Sequence, residues 1–405
     1  MSDREALALS SIRDAPAQSS VLARARVVLA QGTRALVADA SGTLEVELEE
    51  DAPAPGTWVE LDGTWSGERL IVRKAIFLFT PRADFPPSGG DFARLHAGGG
   101  QRLRLLRLRS SVNREIRSFF EARGSLEVET PLAVPSPGLD LHLAALEVRG
   151  TREPRFLITS PEYQMKRLIA GGLTRIHQIT RCFRQGEEGP LHQPEFSMLE
   201  WYRGFCGADT LMRETEELVA HVAERAAGTT RIPARGREVD VAPPWERLTV
   251  AQAFMRYADA GLANILPDEE LFFRILIERV EPRLGHPRPV FLVDWPASMA
   301  SLARLRDGDP SVCERFEAYV DGVELCNGFG ELVDPVEQRA RLERDQRARA
   351  ERGLEVYPID ERFLAALAEG LPPCAGNALG VDRLVMLLGG AARIDDVLAF
   401  AASEL

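Results

Sequence analysis

Arg181–Arg203 reads RCFRQGEEGPLHQPEFSMLEWYR. Gly186, Gly189 and Pro190 interrupt any extended chain after Arg184, so the segment between Arg184 and His192 is a loop. Alternation of apolar and polar residues resumes at PEFSMLEWY, which makes the whole stretch strand, loop, strand. Arg184 stands at the mouth of the loop, where a planar guanidinium can grip a phosphate. Glu200 and Tyr202 are two apart, share one strand face, and can line a pocket for a cationic substrate. Taken alone, the stretch reads equally as a hairpin with surface charges.

Three other stretches carry chemistry. In GVELCNGFGEL, Glu324 and Glu331 are seven residues apart with Asn327 between them. Oxygen donors at a sheet edge suit Mg²⁺, and one carboxylate can instead hold an ammonium group. In GNALGVDRLVML, Gly376 and Gly380 allow close backbone approach, and Arg383 falls in the first turn of an apolar helix. A cation at a helix N-terminus is awkward unless an anion joins it. The stretch is neither a phosphate loop of the G-K-[ST] type nor a G-x-G-x-x-G fingerprint. In TSPEYQMKRLIAGG, Ser160 is a candidate N-cap with Pro161 opening the helix, and Glu162 is free for a ligand.

The surrounding sequence is that of a mixed protein of 405 residues, 45% hydrophobic and 27% charged, with net charge −12. That acidity argues against a surface built to hold a polyanion. The five cysteines form no C-x-x-C pair, so the expectation is reduced thiols in a cytoplasmic protein, with no targeting core in MSDREALALS and no membrane span. Between residues 20 and 78, VLARARVVLA, TRALVAD, TLEVELEE, TWVELDGTW and RLIVRKAIFLF read as five strands of a small OB-like barrel. The expected organisation is a barrel over 1–80, a Pro/Gly linker over 81–101 and an α+β domain over 102–405. The second half opens with a helix from Leu103 to Arg123. ADTLMRETEELVAHVAERAAG is a second helix, with Asp209 its expected N-cap. A hairpin turns at Asp321-Gly322. PVEQRARLERDQRARAERG reads as a charged helix facing solvent.

In this order, the four stretches resemble the catalytic domain of class II aminoacyl-tRNA synthetases, over roughly Leu103 to Leu405. EVETPL is similar to the end of the first motif of that class, with Pro131 at a dimer contact. The Arg181 stretch resembles the second motif and GNALGVDRLVML the third. Within the class, SPEYQMKRL, HQPEFSMLEWYR, PASMASLARL, ERFEAYVDGVELCNGFGEL and ALGVDRLVML resemble the elongation factor P lysine ligase family of the lysyl branch.

That resemblance implies an antiparallel sheet flanked by helices, ATP and Mg²⁺ as cofactors, a homodimer, and transfer of lysine or (R)-β-lysine to a lysine of elongation factor P, with no tRNA charged. It implies roles for residues as well. Ser160, Pro161, Glu162, Tyr202, Glu331 and Ala378 would meet the amino acid, with Glu331 pairing a substrate amine. Arg184, Gln185, Gly186, Glu187, Gln193, Glu324, Leu325, Gly380 and Arg383 would meet ATP, with Arg184 and Arg383 as the catalytic pair and Mg²⁺ near Glu324. Either Gly186 or Glu187 would take the position that is acidic in the family. Ala378 stands where lysyl-tRNA synthetases tend to carry Gly, which implies a reshaped substrate pocket. The barrel is foreign to the usual ligase. Residues 1–80 hold 8 Lys/Arg against 12 Asp/Glu, a net of −4, so an anticodon reader is the weaker expectation for it. Two other readings stay open: a synthetase charging tRNA with lysine, aspartate or asparagine, and a non-catalytic synthetase-like regulator.

Overall fold

The computed structural model describes residues 5–82, 85–86 and 90–405. It divides into two compact units at Leu103/Arg104.

The first unit holds five strands: β1 (Ser20–Gln31), β2 (Arg34–Asp39), β3 (Gly42–Glu47), β4 (Trp58–Trp65) and β5 (Leu70–Phe79). They close into a barrel in the order β1-β2-β3-β5-β4. Each strand alternates, so Val21, Ala23, Ala25 and Val27 of β1 meet Val37, Leu44, Val59, Leu61 and Val72 inside, while Leu9 and Ile12 join the same core from a short helix. The expected linker falls partly outside the described residues. From Asp91 onward it is helical rather than irregular, because the Asp91–Glu121 helix starts well before the apolar stripe of Leu105, Val112 and Ile116. Within that helix Gly98, Gly99 and Gly100 all have positive φ, a run that only glycine adopts without strain.

The second unit is built on a mixed sheet of nine strands. We label β6 (Leu126–Glu127), β7 (Arg175–Phe183), β8 (Glu195–Gly204), β9 (Glu246–Thr249), β10 (Val290–Pro296), β11 (Asp309–Val320), β12 (Val323–Gly330) and β13 (Cys374–Gly380). Their order is β9-β10-β11-β12-β13-β8-β7-β6, and Leu305–Arg306 pairs onto β11. The pairs β9/β10 and β6/β7 are parallel and the rest antiparallel. On one face, Leu199, Trp201, Leu325 and Leu379 pack against Phe119, Leu218 and Val385 from three helices. On the other face, Leu292 and Tyr319 pack in a second core and Ile176, Tyr202 and Cys374 in a third, and the same face carries a row of polar residues. The β11–β12 hairpin turns at Asp321 and Gly322, both with positive φ, as the Asp-Gly pair demands.

Two local expectations are corrected. The helix Ala208–Val222 is capped by Gly207, and Asp209 lies in its first turn. The charged helix Pro335–Glu351 is not a solvated face throughout, because Gln338, Arg341, Leu342 and Arg349 are buried. Arg349 donates to the carbonyls of Asp140, Leu143 (3.0 Å) and Glu355 (2.7 Å), and so ties down a loop. Arg341 donates to Ser301 O (2.9 Å) and Ala303 O (2.7 Å). Fixed carbonyls replace the water that a guanidinium normally needs.

Candidate active site

The register across the sheet places one row of side chains on the polar face. Gln178 stands opposite Glu200, Glu200 opposite Ala378, Ala378 opposite Asn327, and Asn327 opposite Glu317. Glu324 joins this face through a bulge. Ala318 pairs with Cys326 and Tyr319 with Glu324, which leaves Leu325 as the extra residue. An unbroken strand would send Glu324 and Asn327, three apart, to opposite faces; the bulge brings both to the same one.

Above this floor lies a cavity of about 1210 Å³, lined by Arg184, Glu187, His192, Gln193, Glu317, Glu324, Leu325, Asn327, Ala378, Gly380 and Arg383 among others. The guanidinium of Arg184 lies 5.0 Å from the Phe196 ring centre and 3.6 Å from Glu187, and its buried Nε has no hydrogen-bond partner among the described residues. Arg383 follows Gly380 into the Val381–Gly389 helix. It donates to Glu324 O (2.8 Å) and Glu324 Oε2 (3.3 Å) and meets His192 Nε2 at 2.8 Å. Burial, then Arg383 itself, pushes the His192 imidazole below its usual value, so a neutral ring accepts from the arginine. Asp382 accepts from Ser197 N (2.7 Å) and from Arg109, and this pins the helix start to β8.

On the same face of the sheet lies a buried polar cluster. Glu200 accepts from Ser160 Oγ (2.6 Å) and Tyr202 OH (2.7 Å). Lys166, with no side-chain exposure, sits 2.5 Å from Glu162 and 2.5 Å from Glu331. Burial raises the Glu200 carboxyl to about 7 and the Glu331 carboxyl to about 8. Burial opposes the charge on Lys166, but Glu162 and Glu331 outweigh it and the ammonium is held charged. Three carboxylates thus face one cation, an arrangement short of positive charge.

The two arginines therefore converge on one cavity together with Glu187, Glu324, Leu325, Ala378 and Gly380. Ser160, Glu162, Tyr202 and Glu331 converge in the buried cluster, and the N-cap of the helix that carries Glu162 is Pro161 rather than the expected Ser160. Gln185 and Gly186 do not line the cavity; both are exposed on the loop, and Glu187 is the residue that faces inward. Gln193 lines the cavity, but its amide is already engaged. Nε2 donates to Asp395 (2.7 Å) and Oε1 accepts from Ala402 N (2.9 Å), so it anchors the C-terminal segment. Glu331 meets the chain's own Lys166 where a substrate amine was expected. Sequence reasoning missed Lys166, Glu317 and His192. The spacing of Glu162 and Lys166, four apart on a helix, was the available signal for the first. The other two had none without the strand register.

Among the described residues no group of three or more His, Cys, Asp or Glu is gathered tightly enough to cage a metal ion. Glu317, Glu324 and Asn327 nevertheless bring oxygen donors to one cavity; the buried Oδ1 of Asn327 has no hydrogen-bond partner among the described residues, while Glu317 already accepts from Arg315 (2.7 Å) and Tyr319 (2.7 Å). This fits Mg²⁺, which keeps most of its water and asks few protein ligands.

Residues 95–404 match the family model described as tRNA synthetases class II (D, K and N). The chain belongs to that family. It is 43% identical over 319 residues to the elongation factor P--(R)-beta-lysine ligase of Proteus mirabilis, an alignment covering 72% of this chain and 93% of that protein. The proteins of the same name from Photorhabdus laumondii and Salmonella paratyphi B are each 43% identical over 306 residues, covering 73% of this chain and 94% of theirs. The sheet with its flanking helices is the fold expected of the class, and the five-stranded barrel agrees with the OB-like expectation. No described helix is long and apolar enough to cross a membrane.

Proposed function

We propose that the chain is an ATP-dependent ligase that activates (R)-β-lysine, or lysine, as an acyl-adenylate and transfers it to a lysine of elongation factor P. The observation that carries this reading is the pairing of a two-arginine cavity with a buried cluster holding more carboxylates than cations. The first suits a triphosphate and the second a substrate bearing ammonium groups. The names of the relatives supply the acceptor.

In this reading the substrate carboxylate attacks the α-phosphorus of ATP and pyrophosphate leaves. Arg184, whose buried Nε has no hydrogen-bond partner among the described residues, binds the α-phosphate; Arg383 holds the far phosphates; Glu187 and the Leu325 backbone seat the nucleotide. Glu317, Glu324 and Asn327 would hold Mg²⁺, which supplies charge neutralisation at the phosphates. Glu200, braced by Ser160 and Tyr202, keeps free lone pairs for a substrate ammonium. The chain's residues thus act by position and charge, without a covalent enzyme intermediate.

The protein works in the cytoplasm as a homodimer in this proposal, with the exposed Leu126 and Leu132 flanking Pro131 at the contact. The barrel and the catalytic unit are separate domains, and the barrel is no anticodon reader. The test is pyrophosphate exchange with (R)-β-lysine, (S)-α-lysine and other amino acids, followed by labelled transfer to elongation factor P or to tRNA. Label on elongation factor P upholds the proposal. Label on tRNA replaces it with a synthetase, and no exchange with any amino acid replaces it with a regulator.

A further inference from the structure

Lys166 is the buried charge that the catalytic scheme leaves without a task. Its ammonium is enclosed, 2.5 Å from carboxylates on its own helix (Glu162) and just beyond β12 (Glu331), with the Phe363 ring centre 5.9 Å away. The other titratable groups that feel it are Glu200 on β8 and Cys374 on β13. Tyr202, hydrogen-bonded to Glu200, completes the cluster. A lone buried ammonium is costly, and so is each unpaired carboxylate. The cluster is therefore a charge count, in which Glu162, Glu200 and Glu331 are offset by Lys166 alone.

We infer that Lys166 is a positioning residue that sets the charge of the amino-acid pocket: by binding Glu162 and Glu331 together it leaves two uncompensated carboxylates, the number matched by a substrate with two ammonium groups. Lys166 need not touch that substrate. It acts through the two carboxyl groups, holding both in place before the substrate arrives. This rests on the proposed function and adds the reason a diamino acid is preferred over an apolar isostere such as norleucine.

The inference makes a sign-reversing prediction for the full-length protein. Lys166→Met leaves three carboxylates unbalanced. Its acid limb in kcat/KM for lysine-dependent pyrophosphate exchange moves up by about 1–3 pH units, as loss of a neighbouring cation requires. Lys166→Arg keeps the limb in place. Glu331→Gln leaves one uncompensated carboxylate and raises KM for lysine. Adding Lys166→Met to Glu331→Gln restores two and lowers KM again.

A lysine with a purely structural role would be harmful in both backgrounds, so a double variant worse than Glu331→Gln overturns the inference, as does an unshifted acid limb. Thermal melting without substrate judges it independently. Lys166→Met should lose stability relative to wild type as pH rises from about 5 to 8, because its carboxylates then ionise without a partner, and the double variant, with one carboxyl fewer, should lose less. Parallel wild-type and Lys166→Met profiles reject the inference even where exchange is never seen, while wild-type exchange with no amino acid defeats the proposed function alone.

Discussion

At the scale of single residues, the site is governed by which charges are already paired. Glu200 and Glu331 carry carboxyls raised to about 7 and about 8, chiefly by burial. An arriving ammonium favours their ionised forms and lowers both values, so binding should expel protons near neutral pH. Calorimetry of lysine binding in two buffers of different ionisation enthalpy measures this. Equal apparent enthalpies in the two would contradict it. The same shifts make the free protein less stable as pH climbs. A carboxyl raised above its unfolded value contributes stability below about pH 4.5, and that contribution is lost as pH rises through 7 and 8. The arginines call for a different measurement. Arg184→Ala and Arg383→Ala should each lower kcat for exchange roughly 100- to 1000-fold, the usual loss when one preorganised donor to developing charge is removed, with melting temperatures close to wild type. Ala378→Gly should alter the ratio of activity on α- and β-lysine, by no more than about 1–3 kcal/mol, since one methyl is at stake.

At the scale of elements, strand register does what spacing could not reveal. The alternation in PEFSMLEWY already placed Glu200 and Tyr202 on one face, and the barrel strands were legible from their turn residues. The bulge at Leu325 was not, because it exists only relative to β11, and without it Glu324 would leave the cavity. The buried side of the Pro335–Glu351 helix was hidden too. Its arginines find carbonyls from loops distant in sequence, which no local pattern encodes. Glycine 376 on β13 shows the same dependence on partners. A Cβ there would stand 2.3 Å from a Tyr202 ring carbon and 2.7 Å from Glu331 Oε1. Gly376→Ala should therefore destabilise the protein by about 1–3 kcal/mol through overpacking. Because the displaced groups are Tyr202 and Glu331, KM for the amino acid should rise more than kcat falls. A variant with wild-type kinetics and melting would show that β8 yields without disturbing the cluster.

At the scale of the whole molecule, the two units divide the labour unequally. Every residue of the cavity and of the buried cluster lies beyond Leu103, and the family match starts at residue 95, shortly before that boundary. The barrel has its own closed sheet and its own core of Val, Leu and Ala side chains. Its outer surface mixes charge of both signs, with Glu47 paired to Arg69 and Asp62 to Arg73, while Phe77 and Phe79 stand exposed near the end of β5. Neutralised carboxylate–arginine pairs offer a phosphate backbone little to bind. Amino-acid activation should therefore survive removal of residues 1–103, with kcat and KM for pyrophosphate exchange within about twofold of the full chain, since uncoupled sites contribute additively. Transfer of the activated amino acid to elongation factor P should be compared in the same pair of proteins. Intact exchange with impaired transfer would give the barrel a part in holding the acceptor, whereas loss of exchange itself would mean that the catalytic unit depends on the barrel and that the division into independent domains is wrong.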